Sequence, residues 1–185
     1  MAIVVDAGVL VAAADTGDAD HQRCSGLLRE NRGRLVVPAP VIPEASWQVE
    51  HNLGPRAEAA FLRLITGRHL RLVDLTLADW VRCIELIEAY EDLGLGLVDT
   101  SIVAAAERLG ETKIATLNHR DFTVGRPAHC DAFELVPSRT PTTRPGGRPR
   151  RAETWCEWST GTWVWARVAC SAVPGCRGLL RRGPR

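Results

Sequence analysis

An α/β fold with a parallel sheet covered by helices on both faces is predicted for the first 137 residues, because strand-like and helix-like segments alternate along them. The strand segments are short and mostly β-branched; the helical ones carry apolar residues every three or four positions; Gly and Pro punctuate several of the joints.

Ile3-Val4-Val5 reads as a buried strand, too short and too β-branched for a helix, and Asp6 closes it. Val9 to Ala14 then turns Ala-rich and helical. Cys24, Leu27, Leu28 and Asn31 mark one face of a helix from about Ala19 to Arg32, stopped by Gly33. Leu35–Val37 is the second strand, and Glu44, following Pro43, falls in the first turn of a helix. Ala57, Ala60, Phe61 and Leu64 mark a helix opened by Pro55 and stopped by Gly67, and Arg71–Val73 is the third strand. Leu77, Trp80, Val81, Ile84 and Ile87 form one stripe at helical spacing, with Asp79, Arg82, Glu85 and Glu88 on other faces. Ile102, Val103, Ala106 and Leu109 do the same for Thr100–Leu109, where Asp99 is the expected N-cap. Lys113–Thr116 and Phe133–Val136 are the remaining strands.

The 185 residues, 45% of them hydrophobic, suffice for one core with chain to spare. No apolar run approaches the roughly 20 residues a membrane-spanning helix needs, and the start lacks the basic region and cleavage site of a signal peptide. A cytoplasmic protein without membrane association is expected. Cys24, Cys83, Cys130, Cys156, Cys170 and Cys176 show no paired spacing of a zinc site, and reduced thiols are expected.

Charge is distributed unevenly. Residues 1–137 hold 13 basic and 20 acidic side chains, net −7, whereas residues 138–185 hold ten arginines against Glu153 and Glu157, net +8. Two parts follow: a domain of residues 1–137 and a C-terminal extension of residues 138–185. Ser138 to Arg151 is dense in Pro, Gly, Thr and Arg and reads as a linker or poorly ordered segment. Four of the six tryptophans lie beyond it, and Thr162 to Val168 alternates with a period of two. Arginines interleaved with aromatics suit stacking on single-stranded nucleic acid, but a GC-rich reading frame translated without selection for a fold yields the same composition.

Each of the three acids has a structural role that suffices singly: Asp6 as a helix cap, Glu44 beside a helix dipole, Asp99 as an N-cap. Together with the polar run Thr116-Leu117-Asn118-His119-Arg120-Asp121-Phe122, they fall at one edge of one sheet, where ligands collect in parallel α/β proteins. Converging carboxylates raise one another's pKa, so such a cluster persists mainly where a divalent cation binds. Oxygen donors on separate elements suit Mg²⁺ or Mn²⁺, whose usual work at such an edge is phosphoryl chemistry.

Val4-Val5-Asp6-Ala7-Gly8-Val9-Leu10, Val37 to Glu44, Leu97 to Gly110 and Ile114 to Phe122 resemble, in order, the four acidic blocks of PIN-domain ribonucleases, most closely the VapC-type toxins of bacterial toxin–antitoxin pairs. The resemblance covers residues 1–137. It implies a three-layer α/β/α sandwich, Mg²⁺- or Mn²⁺-dependent endoribonuclease activity on RNA of the tRNA or rRNA class, frequent homodimerisation, and a small VapB-type antitoxin partner that covers the site. By the same resemblance Asp6, Glu44 and Asp99 are the metal-binding acids, and Asn118 stands where the family usually has its fourth. The four are the implied catalytic and metal-binding set. Arg23, Arg29, Arg120 or Arg126 would track the RNA backbone.

Two positions depart from the family pattern. Ala7 and Gly8 follow Asp6 where Ser or Thr is common, and Asn118 brings an amide oxygen without charge. Asp121 could compensate if turned inward; beside Arg120 it otherwise reads as a surface acid. Two alternatives follow from other classes. One is a catalytically impaired PIN-fold protein that binds RNA or sequesters antitoxin. The other is a receiver-like signalling domain, which fits poorly because Lys113, the only lysine, stands at the start of a strand.

Truncation after Pro137 is expected to leave the stability of the domain within about 1 kcal/mol, the scale of changes remote from core contacts. Thermal melts of both forms check this, and a larger loss would place the tryptophans of the extension on the domain.

Overall fold

The computed structural model describes residues 1–124 and 127–138, together with the backbones of two strands in the extension. The chain divides into units of Met1–Thr140 and Pro141–Arg185. In the second unit Thr154–Glu157 pairs antiparallel with Trp163–Ala166, and Trp155 stands opposite Trp165 in the register.

The first unit is built on five parallel strands: β1 (Ile3–Val5), β2 (Leu35–Pro38), β3 (Arg71–Val73), β4 (Lys113–Ala115) and β5 (Glu134–Val136), in the order β3-β2-β1-β4-β5. Every residue of β1 and β2 is buried, as the apolar runs require of strands covered on both faces, while the edge strand β3 exposes Arg71 and Leu72. The helices are α1 (Ala7–Ala14), α2 (His21–Glu30), α3 (Val41–Leu53), α4 (Pro55–Thr66), α5 (Leu77–Ala89), α6 (Leu97–Leu109) and α7 (His119–Val124). α1 packs on α2 and α3, α3 on α4 and β2, and α5 on α6, which lies against β1 and β2. The core they enclose includes Val4, Val5, Val9, Val37, Val41, Val49, Ile102 and Ile114, each fully or almost fully buried. Among the described residues no helix is long and apolar enough to cross a membrane, and Cys24, Cys83 and Cys130 are free thiols.

The strand order determines where a site can form. The chain winds from β1 outward to β3 and then returns to β4 on the other side of β1. At that reversal the connections leaving the carboxyl ends of β1 and β4 part to opposite directions, the arrangement that in open parallel sheets makes the crevice where ligands bind. Asp6 follows β1 and Thr116 follows β4.

Three expectations change. Asp99 is not an N-cap: α6 begins two residues earlier, capped by Gly96, and Asp99 lies inside its first turn. Gly96 accounts for the shift, since it ends the preceding turn and leaves Leu97 and Val98 free to join the helix. α2 is shorter at both ends than its apolar face suggested. The stripe on α5 exists, but it faces solvent: Leu77, Trp80, Val81, Ile84 and Ile87 are exposed, whereas the buried residues are Asp79, Cys83 and Leu86.

Polar contacts hold α5 in this orientation. Asp79 Oδ2 accepts from Thr76 N at 2.8 Å and from Arg108 Nε at 2.8 Å, closing a capping box and an ion pair at once. Arg82 donates through Nε and Nη2 to both oxygens of Glu107, and Glu107 also accepts from Ala128 N. Asp79 is 3% exposed. Arg108→Met would leave its carboxylate buried without a cation, at a cost of about 2–3 kcal/mol given that Arg108 itself is partly exposed. Denaturant unfolding of this variant checks the value; an unchanged midpoint would show that the pair contributes nothing.

Candidate active site

Asp6 is the residue around which the crevice is organised. Its backbone N–H continues the β1–β4 ladder to Ala115 O at 2.9 Å, which fixes the start of its side chain in the gap between the two strands. Oδ1 accepts from Ala7 N at 2.6 Å and Oδ2 from Thr116 Oγ1 at 2.7 Å. Only 8% of the residue is exposed. Burial pushes its pKa up, and the hydrogen bonds from Thr116 and Ala7 oppose that rise.

Thr116 connects two parts of the site. It is fully buried, and since its hydroxyl proton goes to Asp6, its lone pair is free to accept Asn118 N at 2.9 Å. The turn after β4 is thereby tied to the carboxylate after β1. Asn118 is exposed, and its Nδ2 donates to Asp121 Oδ2 at 2.5 Å. Asp121, in the first turn of α7, is half-buried.

The remaining acids come from helix first turns. Glu44 is exposed on α3, with Gln48 Nε2 at 3.2 Å from Oε1; partial desolvation first and the charge of Asp6 second raise its pKa. Asp99, half-buried on α6, is pushed up to about 6 by burial, then by Asp6, and further by Asp121 and Glu44, against a hydrogen bond from the Gly96 backbone. The structure therefore brings Asp6, Glu44, Asp99 and Asp121 into one electrostatic field. Asn118 reaches that field through Asp121. Sequence reasoning did not single out the Thr116 hydroxyl, although a Thr ending an apolar strand before a polar turn was a visible signal. Gly8 also belongs here: a side chain at this position would begin 4.0 Å from Asp6 Oδ2, so the family's hydroxyl has room that this chain leaves open.

The donor set consists of oxygens alone. Among the described residues no three acidic, His or Cys side chains are grouped closely enough to enclose a metal ion by themselves. Carboxylates that perturb one another without forming a closed cage fit a hard cation that keeps several of its waters, and do not fit a zinc-type site. Of the arginines expected to track RNA, Arg23 is paired with Asp20, Arg29 and Arg120 are exposed, and Arg126 lies outside the described residues.

Raised carboxyl pKa values mean that the folded, metal-free protein binds more protons than the unfolded chain between the ordinary carboxylate range and about pH 6. The contribution of Asp99 to stability is therefore full below that window and is lost as pH rises through 6. Asp99→Asn is expected to melt higher than wild type at pH 7 without added metal, with the advantage vanishing near pH 4. Melts across this range check it, and a pH-independent difference would contradict the coupling.

Comparison with known proteins places these features in a family. Ribonuclease VapC26 of Mycobacterium tuberculosis (strain ATCC 25618 / H37Rv) is 28% identical over 135 residues, which cover 73% of this chain and all of the relative. The fold is shared with M. tuberculosis VapC20, a sarcin-ricin loop cleaving toxin (TM-score 0.57, 19% identity, 61% of this chain and 87% of that one). It is shared as well with VapBC2 from Rickettsia felis bound to a DNA fragment from its promoter (TM-score 0.54, 19% identity, 73% and 98%). DNA-bound VapBC from Salmonella typhimurium gives a TM-score of 0.55 at 16% identity, covering 73% and 96%. The PIN domain family model matches residues 3–124, more than half of the sequence and all four acidic blocks, and the chain belongs to that family.

Proposed function

We propose that this protein is a divalent-metal-dependent endoribonuclease, the toxin of a toxin–antitoxin pair. The observation that carries the proposal is the convergence of acids from separate elements at the strand-order reversal, Asp6 after β1, Glu44 on α3, Asp99 on α6 and Asp121 on α7, near enough that Asp6, Asp121 and Glu44 add to burial in raising Asp99 to about 6. The ribonuclease name of the M. tuberculosis relative supports the same reading.

In this reading Asp6, Glu44, Asp99 and Asp121 hold the cation, Mg²⁺ or Mn²⁺, and Asn118 orients Asp121. Asp121 is preferred to Asn118 as the fourth charge because Asn118 donates its amide to the Asp121 carboxylate, while Asp121 acts directly on Asp99. On this reading Asp121, one helical turn later, would supply the charge missing at 118, which argues against the impaired-enzyme alternative. A bound divalent ion supplies Lewis-acid activation of water and neutralisation of phosphate charge. The chain's own part is to hold the acids. Thr116 and Ala7 fix both oxygens of Asp6, Gly96 anchors Asp99, and the short tie from Thr116 to Asn118 sets the height of the α7 turn.

A small antitoxin partner accords with the same electrostatics. Clustered carboxylates with raised pKa values are stabilised by any cation, and a guanidinium offered by a partner can pair bidentately with the groups that otherwise take metal. Protein freed of antitoxin is expected to cleave RNA with Mg²⁺ or Mn²⁺, to stop with EDTA, and to lose at least about 100-fold in rate in Asp6→Asn and Asp99→Asn. Asp121→Asn is expected to raise the Mg²⁺ midpoint more than Asn118→Ala does. Cleavage that persists in EDTA would overturn the mechanism, and the reverse order of the last two variants would return the fourth position to Asn118.

A further inference from the structure

α3 carries two faces with different tasks. It packs on the core through Val41, Ala45, Ser46 and Val49, while Glu44, Trp47, Gln48 and His51 share another side at offsets of three, four and seven residues. That second stripe begins at Glu44, one of the acids of the candidate active site. Gln48 Nε2 donates to Glu44 Oε1 at 3.2 Å, and the indole of Trp47 stacks on the imidazole of His51, with ring centroids 5.5 Å apart and planes 12° from parallel. Trp47 is 47% exposed, and His51 is exposed as well. An indole kept half in water, on a helix whose core packing is done by other residues, presents an aromatic surface outward.

We infer that the Trp47–His51 stack is the subsite that receives an unpaired base of the RNA beside the scissile phosphate. The assignment rests on the ribonuclease reading and adds to it a contact that sets where the strand lies. Two observations point to a base. Position is the first: at 1.5 Å per residue Trp47 stands about 4.5 Å along the helix axis from Glu44, so whatever covers the indole lies next to whatever the acids hold. Charge is the second. Residues 1–137 are net −7, so a strand of phosphates approaching them gains little from ion pairing beyond the metal.

Stacking supplies affinity without charge, because every base has a π-face that tryptophan and histidine rings can cover. A base within a duplex is already stacked on its neighbours, which restricts the subsite to loops, bulges and single strands. Such a contact reads no hydrogen-bonding edge, so the subsite accepts all four bases with modest differences.

Binding is measured apart from cleavage, by fluorescence anisotropy of a labelled short single-stranded RNA with Mg²⁺ and the full chain carrying Asp99→Asn. A ribose-phosphate strand of the same length without bases serves as the matched polyanion. The chain is expected to bind the RNA at least about tenfold more tightly than the base-free strand. Adding Trp47→Ala should abolish that preference, by the same factor at low and high salt because no ion pair is removed, whereas Trp47→Phe keeps most of it. His51→Ala removes one ring of the stack and should lose part of the preference, which checks the same contact if Trp47→Ala does not fold. Trp80→Ala, on α5, serves as the control and should change nothing.

RNA bound no better than the base-free strand, a preference that survives Trp47→Ala and His51→Ala, or an equal loss in Trp80→Ala would overturn the inference and leave the indole to a protein partner. Mg²⁺-dependent cleavage by the chain with Asp99 intact separates the two readings. Cleavage whose kcat/KM is indifferent to Trp47→Ala removes the subsite and leaves the nuclease; base-dependent binding through Trp47 without cleavage does the reverse.

Discussion

The site depends on the hydrogen bond from Thr116 to Asp6. A carboxylate with 8% exposure at the end of a buried strand is costly unless its oxygens are satisfied, and here one oxygen is held by Ala7 N–H and the other by a hydroxyl with no solvent access. The same hydroxyl accepts the Asn118 N–H, so one atom joins the strand that bears the first acid to the turn that bears the last. Thr116 can do this only because β1 and β4 are neighbours across the reversal of strand order. Topology thus places the residues, and a single hydroxyl fixes their relative position.

The fold tolerates a site that works against its stability. Asp6, Glu44 and Asp99 are all held above ordinary carboxyl pKa values by burial, and Glu44 and Asp99 also by the charge of Asp6. The opposing terms lie elsewhere: in the fully buried β1 and β2, and in the α5–α6 contact, where Asp79–Arg108 and the bidentate Arg82–Glu107 pair satisfy their charges. The contrast is informative. Asp79 and Glu107 are paired with arginine, whereas among the described residues no ion pair is made by Asp6, Glu44, Asp99 or Asp121.

Much of this was legible in the sequence. Arg71–Val73 and the helix from Pro55 to Thr66 were readable to the residue, the helix because its Pro–Gly bracket leaves little choice of ends. The acids at the sheet edge were legible because their elements were. Orientation was not. Periodicity shows that Leu77, Trp80, Val81, Ile84 and Ile87 share a face, but only the ion pairs of Asp79 and Arg82 with α6 determine that this face turns outward. The tie between Asn118 and Asp121 was hidden for a similar reason: it is a side-chain hydrogen bond across one helical turn. The start of α6 at Leu97 was missed because two apolar residues after a glycine resemble a strand as much as a helix.

The central claim is that the four carboxylates after β1, on α3, on α6 and on α7 form one oxygen-ligand site for a divalent ion. Anomalous diffraction from crystals grown with Mn²⁺ tests it most directly. The account predicts a single strong peak within roughly 2.0–2.3 Å of oxygens of Asp6 and Asp99, with Glu44 and Asp121 reaching it directly or through water. A peak elsewhere, or none at saturating Mn²⁺, would contradict it.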